Sequence, residues 1–369
     1  MKGGKNKKRI LIVTGPSGGH IFPSLAFIEG LLEKDKNYEI LLVLPKNRIG
    51  STIKSNNFKV DYLPISSFRL NSGLKNLSAF LKFISGGLKS LYILLKFQPN
   101  LVVSFGTISS VPLVILAWLA RKIIFIHEQN VLPGRANKFL APFADKIAVS
   151  FLETAQIFTR YKNKIILTGN LLRREIKRVD KNEALAFFGL RQDKLTVLVM
   201  GGSQGSSRIN LECFKLFSQY SAKAEIQVIH LCGVRYFNFL INSYKRAHID
   251  AKLFSFLESM SFAYEAADLA ISRAGATSLA ELIFYGIPAI LIPYPFAYSH
   301  QSANAHVLEK TGACVVIPDA RLDKGTLVEV FGELVRERDK LKVMRKNYEN
   351  FRRHQSADLL IKEATDLLK

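Results

Sequence analysis

Cysteine is scarce in this 369-residue chain: Cys213, Cys232 and Cys314 are far apart and form no Cys-x-x-Cys pair. That pattern argues against a disulfide framework or a zinc ligand set and fits a reducing cytoplasm. No Asp-x-Asp occurs, so the sequence gives no sign of a metal-bridged diphosphate. Gly-x-Gly-x-x-Gly is missing from both glycine-rich turns, which disfavours a nicotinamide oxidoreductase. No helix-turn-helix, RNA-recognition or zinc pattern accompanies the basic charge, so a nucleic-acid-binding protein rests on charge alone. The one uncharged stretch of membrane length, residues 101–120, holds Ser104, Gly106, Thr107, Ser109, Ser110 and Pro112. A strand, a loop and a buried helix explain it better than a span. The basic N-terminus leads into a short apolar run that ends in glycines, which reads as a first strand rather than a signal peptide.

Acid is also missing locally. No Asp or Glu stands between Asp61 and Glu128. The net charge of +22 is therefore uneven, with 24 Lys and Arg against 8 Asp and Glu in residues 1–165, and 28 against 22 beyond. A basic first half points to a polyanion or an anionic membrane surface. The rest is ordinary: 48% hydrophobic and 22% charged residues describe a globular chain, long enough for two domains and two cores.

Short apolar runs alternate with helical patterns. Residues 10–13, 39–44, 60–63, 101–104, 123–126, 147–150 and 165–167 read as strands of a first wound sheet. Residues 196–200, 227–232, 251–257, 269–272 and 289–293 read as strands of a second. Each half opens with a strand, a glycine-and-serine turn and a helix. The first turn is Thr14-Gly15-Pro16-Ser17-Gly18-Gly19-His20, with Pro23 expected near the first position of a helix over residues 22–32. The second is Gly201-Gly202-Ser203-Gln204-Gly205. Glycines there let the backbone approach a ligand. His20 at a helix start has two readings, a helix-cap histidine or a general base.

Residues 70–97 carry Leu74, Leu77, Leu81, Ile84, Leu88, Leu91 and Leu95 at helical spacing, and Lys75, Lys82, Lys89 and Lys96 at sevenfold spacing. Gly86-Gly87 is expected to break or kink that helix. The lysine stripe is either a solvated face or a contact with anionic lipid. His127-Glu128-Gln129-Asn130, then Arg135 and Asn137, follow a strand at its C-terminal end, where wound sheets keep their sites.

The densest stretch is 271–312. A strand turns through Arg273, Ala274 and Gly275 into a helix over residues 276–285, stopped by Gly286. A second strand, a loop and a helix opening at His300-Gln301 follow. A helix start reached through small residues offers free N–H groups and a positive dipole end, which suit phosphate. Glu281, one and a half turns on, has the reach for ribose hydroxyls, and His300, Gln301 and Asn304 suit sugar hydroxyls. An ordinary βαβ unit with exposed polar residues gives the same spacing.

Arg-x-Gly-Ala…Glu…Gly-x-Pro…Gln…Asn-Ala resembles the donor-binding block of GT-B glycosyltransferases. Within them it is most similar to the family that adds N-acetylglucosamine to the undecaprenyl-linked muramyl-peptide of peptidoglycan synthesis. The first glycine turn, His127 to Asn130 with Asn137, Gly169-Asn170-x-x-Arg173 and the second glycine turn match in the same order. Pro16-Ser17 departs from the usual Gly-Thr. Phe105-Gly106-Thr107-Ile108-Ser109 departs from the usual Gly-Gly-Tyr-x-Ser.

The resemblance implies an α/β, GT-B fold: two Rossmann-like domains with parallel sheets facing a central cleft. They would be an acceptor- and membrane-binding domain over 1–167, joined by a C-terminal helix within 350–369, and a donor domain over 168–349. It implies an inverting hexosyltransferase that uses UDP-N-acetylglucosamine, no cofactor and no metal, with the 4-hydroxyl of undecaprenyl-pyrophosphoryl-MurNAc-pentapeptide as acceptor. His20 would be the base. Ser203, Ala276 and Thr277 would hold the diphosphate, Glu281 the ribose, the Leu257 backbone the uracil, and Arg173 would lie beside the nucleotide. Gln301 and Asn130 would contact the sugar, and Ser17, Gly18 and Gly19 would close over the reacting centre. His127, Glu128 and Asn137 would stand on the acceptor side. Lys75, Lys82, Lys89 and Lys96 would meet an anionic membrane at the cytoplasmic face, where a cell-wall synthesis complex is a further expected partner; nucleic acid is not. A related diacylglycerol glycosyltransferase is the alternative enzyme, disfavoured by the His127 to Asn130 segment.

Overall fold

The computed structural model describes residues 7–46, 53, 55–64, 73–202, 205–220, 225–296, 299–352 and 357–369, without the side chains of 73–80, 350, 352 and 357. The chain divides into two compact units, Met1–Arg173 with His354–Lys369, and Arg174–Arg353.

The first unit is built on strands β1 (Arg9–Val13), β2 (Glu39–Pro45), β3 (Lys59–Leu63), β4 (Leu101–Ser104), β5 (Ile123–Glu128), β6 (Lys146–Val149) and β7 (Ile165–Leu167). They lie parallel in the order β3-β2-β1-β4-β5-β6-β7. Parallel strands need crossovers, and the helices supplying them cover both faces. These are α1 (Gly18–Lys34), α2 (Gly73–Phe97), α3 (Val111–Leu119), α4 (Arg135–Leu140) and α5 (Leu152–Ile157). Alternation sorts the core. Leu11, Val13, Leu41, Val43 and Val102 join Ile93, Leu94, Leu113 and Ala117 on one face. Ile10, Ile12, Ile40, Leu42 and Val103 join Phe27, Ile28, Leu360 and Ile361 on the other. The C-terminal helix Ala357–Asp366 therefore packs in this unit, where Lys34 bonds Thr365 (2.7 Å) and Lys146 pairs with Glu363 (2.5 Å).

The second unit has β8 (Leu195–Met200), β9 (Ile226–Leu231), β10 (Ala251–Phe254), β11 (Leu269–Ser272), β12 (Ala289–Leu291) and β13 (Cys314–Val316), parallel in the order β10-β9-β8-β11-β12-β13. Its helices are α6 (Lys181–Phe188), α7 (Ser207–Tyr220), α8 (Val234–Arg246), α9 (Met260–Ala266), α10 (Ala276–Tyr285), α11 (His300–Glu309), α12 (Leu327–Arg336), α13 (Arg338–Lys346) and α14 (Glu349–Arg352). The short β13 carries no alternation long enough to read from sequence.

Strand order reverses between β1 and β4 in one sheet and between β8 and β11 in the other. In wound sheets the crevice for a ligand opens at the carboxyl ends of such strands. Those ends lead into the two glycine turns, the 105–110 loop and the Arg273 corner.

Two local expectations are corrected. Helix α1 opens at Gly18, not at residue 22, because extended Ser17 already accepts from the His20 and Ile21 N–H groups (3.0 Å each). Pro23 thus lies inside the helix and costs it one backbone bond. Helix α2 runs unbroken through Gly86-Gly87. Gly86 faces the core, and its carbonyl accepts from Ser90 Oγ (2.7 Å).

The α2 face is also the reverse of a core helix. Ile93, Leu94 and Phe97 are buried, whereas Leu81 (58% exposed), Ile84, Leu88 (67%), Leu91 and Leu95 (67%) form an outward row. Lys82 and Lys96 flank it; Lys96 lies over the Tyr92 ring. Lys89 pairs with Asp61 at 3.0 Å. The side chain of Lys75 lies outside the described residues. Trp118, Leu119 and Phe139 on α3 and α4 are exposed as well. Exposed apolar surface of this extent is more than scattered single side chains account for. Among the described residues, no helix is long and apolar enough to cross a membrane.

Candidate active site

In the first unit, His20 stands in the first turn of α1, half-buried. Its Nδ1 lies 2.9 Å from the Phe105 carbonyl at the end of β4. A carbonyl only accepts, so the neutral ring carries its proton on Nδ1 and its lone pair on Nε2. Ser17 and Gly19 are exposed beside it, and Gly18 is buried. The Phe105 side chain is buried edge-on between Phe27 and His127.

His127 is the penultimate residue of β5 and is fully buried. Its Nε2 donates to Gly169 O (3.2 Å), and its Nδ1 accepts from Gln129 Nε2 (3.2 Å). Burial is the main cause that draws its pKa down to about 4, with nearby His20 adding to the effect, so the ring is neutral near pH 7. Glu128, 2% exposed, spends both oxygens on its own loop. Oε1 accepts from Asn130 N (2.9 Å) and Nδ2 (3.2 Å); Oε2 accepts from Gly134 N (3.0 Å) and Asn137 Nδ2 (2.8 Å). The acidic residue of this motif is a brace that shapes residues 129–137. Asn130 is the half-buried member, and Thr154 Oγ1 holds its carbonyl. Buried Thr14 Oγ1, Gln129 Oε1 and Asn137 Oδ1 have no partner among the described residues. Arg173 lies over the Phe22 ring, 5.0 Å from its centroid.

In the second unit, the turn after β8 lies against the end of β9. A Cβ on Gly205 (φ +76°) would fall 2.4 Å from Cys232 O, so only glycine fits. Ser203 lies outside the described residues. Helix α10 opens at Ala276 behind Gly275, with no side-chain cap and no acid in its first turn. The leading amides and the dipole thus keep their pull on an anion. Thr277 Oγ1 is buried without a partner among the described residues. Glu281 is 3% exposed, and its Oε2 accepts from Tyr264 Oη at 2.5 Å. Leu257, 9% exposed, sits in the loop between β10 and α9. In the first turn of α11, Gln301 Oε1 accepts from Ala274 N (3.2 Å) and Tyr294 N (2.9 Å), which orients the amide across the corner. Its Nε2 donates to none of the described residues. His300 starts α11 and is half-buried; Asn304 Nδ2 donates to Ala274 O (3.3 Å).

Two features were not legible from residue types. Arg273, 8% exposed, bolts the corner together. It donates to Ile292 O (3.1 Å), Pro293 O (3.3 Å), Asp319 Oδ1 (2.5 Å) and Ser206 Oγ (2.8 Å). Its place beside a glycine suggested only a turn, because Asp319 is 46 residues away. The second is a buried chain under the glycine turn. Tyr244 Oη meets His230 Nδ1 (2.8 Å), His230 Nε2 donates to Asn210 Oδ1 (3.1 Å), and Asn210 Nδ2 donates to Cys232 O (2.8 Å). Burial draws His230 down to about 3. A histidine inside an apolar strand gave no signal of this.

Two parallel wound sheets, each with its loops gathered at a switch point, make the GT-B fold, and the family models place the chain among the glycosyltransferases. The chain belongs to glycosyltransferase family 28: the family's N-terminal domain matches residues 10–149 and its C-terminal domain residues 196–360. It is 36% identical over 98% of its length to a protein of Halothermothrix orenii, of which the match covers 99%. That protein is named UDP-N-acetylglucosamine–N-acetylmuramyl-(pentapeptide) pyrophosphoryl-undecaprenol N-acetylglucosamine transferase. A protein of the same name from Thermodesulfovibrio yellowstonii is 33% identical, with 98% of this chain and 99% of the relative covered. The crystal structure of Acinetobacter baumannii MurG shares the fold, with a TM-score of 0.74 at 21% identity over 98% of this chain and 99% of that one.

Proposed function

We propose that this chain transfers N-acetylglucosamine from UDP-N-acetylglucosamine to the 4-hydroxyl of undecaprenyl-pyrophosphoryl-MurNAc-pentapeptide, with inversion. The full-length similarity to transferases of that name carries the reading, and the Arg273 corner agrees with it. The diphosphate is assigned to the amides of Ala276 and Thr277 with Ser203, the ribose to Glu281, the uracil to the Leu257 backbone and the sugar to Gln301 and Asn130. The leaving UDP gains negative charge, which fixed amides at a helix start stabilise without reorganising. His20 Nε2 takes the proton of the attacking hydroxyl. Glu128 and Asn137 shape the acceptor-side loop.

The acceptor's lipid tail stays in a bilayer, and the outward leucine row of α2 beside Lys82 and Lys96 suits its surface. An apolar row flanked by lysines fits lipid better than a nucleic-acid phosphate backbone. The chain is assigned as peripheral on the cytoplasmic face of the membrane. Changing Leu88 and Leu95 together to Ser should lower binding to anionic vesicles about tenfold or more in a flotation assay, with UDP binding unchanged. Unaltered flotation removes α2 from the membrane contact.

Substrate choice is tested by UDP release from several UDP-sugars, with and without a lipid-linked muramyl acceptor. Release is expected from UDP-N-acetylglucosamine, and to depend on that acceptor. Equal release with diacylglycerol as acceptor, or from UDP-glucose, contradicts the proposal.

A further inference from the structure

We infer that Gln129 is a positioning residue for His20: it pins the Phe105–Gly106 peptide plane so that the Phe105 carbonyl holds the His20 proton on Nδ1. The inference rests on the reading of His20 as the base. The Phe105 carbonyl faces two donors, His20 Nδ1 at 2.9 Å and Gln129 Nε2 at 3.3 Å. Gln129 is 1% exposed, so no solvent competes for its amide. The same Nε2 lies 3.2 Å from His127 Nδ1 and 3.2 Å from His127 O.

The orientation of that amide follows from its neighbours. Gly169 O can only accept, so His127 keeps its proton on Nε2 and presents a lone pair at Nδ1. All three groups around the Gln129 nitrogen are then acceptors. The reversed amide would set an oxygen against three lone pairs. The correct amide leaves Oε1 buried without a partner among the described residues, a cost that the donor side must outweigh. Two main-chain carbonyls, Gly169 and Phe105, thus fix the tautomers of two histidines, and one glutamine links them.

The peptide that Gln129 pins is one that otherwise turns easily. Gly106 follows it at φ +84°, and glycine tolerates both signs of φ at little cost. Thr107 comes next at φ +88°, a conformation a β-branched residue rarely holds. Apart from Gln129 and the His20 ring itself, the plane is held by a 3.3 Å contact from Gly106 N to Ser104 Oγ. If the plane turns, its carbonyl leaves Nδ1 and its N–H faces the ring. The favoured tautomer then reverses, with the proton on Nε2, where the acceptor hydroxyl needs a base.

The tautomer is read by nitrogen NMR of the histidine-labelled chain above pH 8, beyond the ordinary imidazole range. In the parent, the His20 signal, assigned by its loss in His20→Gln, should show Nδ1–H. In Gln129→Met an Nε2–H population should appear. The turnover number should fall about 10- to 100-fold, with KM for UDP-N-acetylglucosamine within about twofold. Gln129→Met that keeps Nδ1–H overturns the inference whatever its turnover, and so does a parent that shows Nε2–H, even where the variant fails to fold. A reversed tautomer with parental turnover instead overturns His20 as base.

Discussion

His20→Gln should lower turnover about 100- to 10,000-fold, the range that a positioned general base supplies. Glutamine keeps a donor for the Phe105 carbonyl at a similar reach, so the loop stays supported while the lone pair at Nε2 is lost. The diphosphate, ribose and uracil are assigned to residues of the other unit, so UDP binding measured by calorimetry should stay within about twofold. Near-parental turnover would take His20 out of the chemistry and leave it as a helix-start residue tied to β4. Weakened UDP binding with unchanged turnover at saturation would assign it to the donor instead.

Arg273→Met should destabilise the second unit by about 3 kcal/mol, because it leaves the Asp319 carboxylate, 7% exposed, without its closest cation. Arg208, 3.2 Å from the other Asp319 oxygen, keeps the loss from being larger. The same change frees Ser206 Oγ and the Ile292 and Pro293 carbonyls, so the glycine turn and the loop after β12 lose their common tie. UDP binding should fall by at least tenfold. Asp319→Asn in the same chain should recover part of the stability and little of the binding, since the charge is removed but the tie is not. If the double variant is no more stable than Arg273→Met, the buried ion pair is not what secures the corner.

Much of this architecture was readable in the chain. Strands alternate with helical patterns at spacings that demand parallel sheets, and α10 runs between Ala276 and the Gly286 stop as its residues imply. What escaped reading shares one cause, contact between residues far apart in sequence. The partners of Arg273 lie as far away as Asp319, and those of His127 at Gly169. The row of leucines on α2 shows the limit best. Its spacing announced an amphipathic helix, but not which face would be buried. The packed face is made by Phe83, Gly86, Ser90, Ile93, Leu94 and Phe97, and the leucine row is left outside. Of the candidate site residues, Glu128 and His127 stood out by type and place. That Glu128 braces the loop and that His127 is held in one tautomer depend on burial and on main-chain groups that no residue letter records.

The most direct measurement is a crystal of the chain with UDP-N-acetylglucosamine. The diphosphate should lie against the Ala276 and Thr277 amides, with the ribose at Glu281. A nucleotide bound away from the 273–281 corner would contradict the donor site on which the proposed reaction depends.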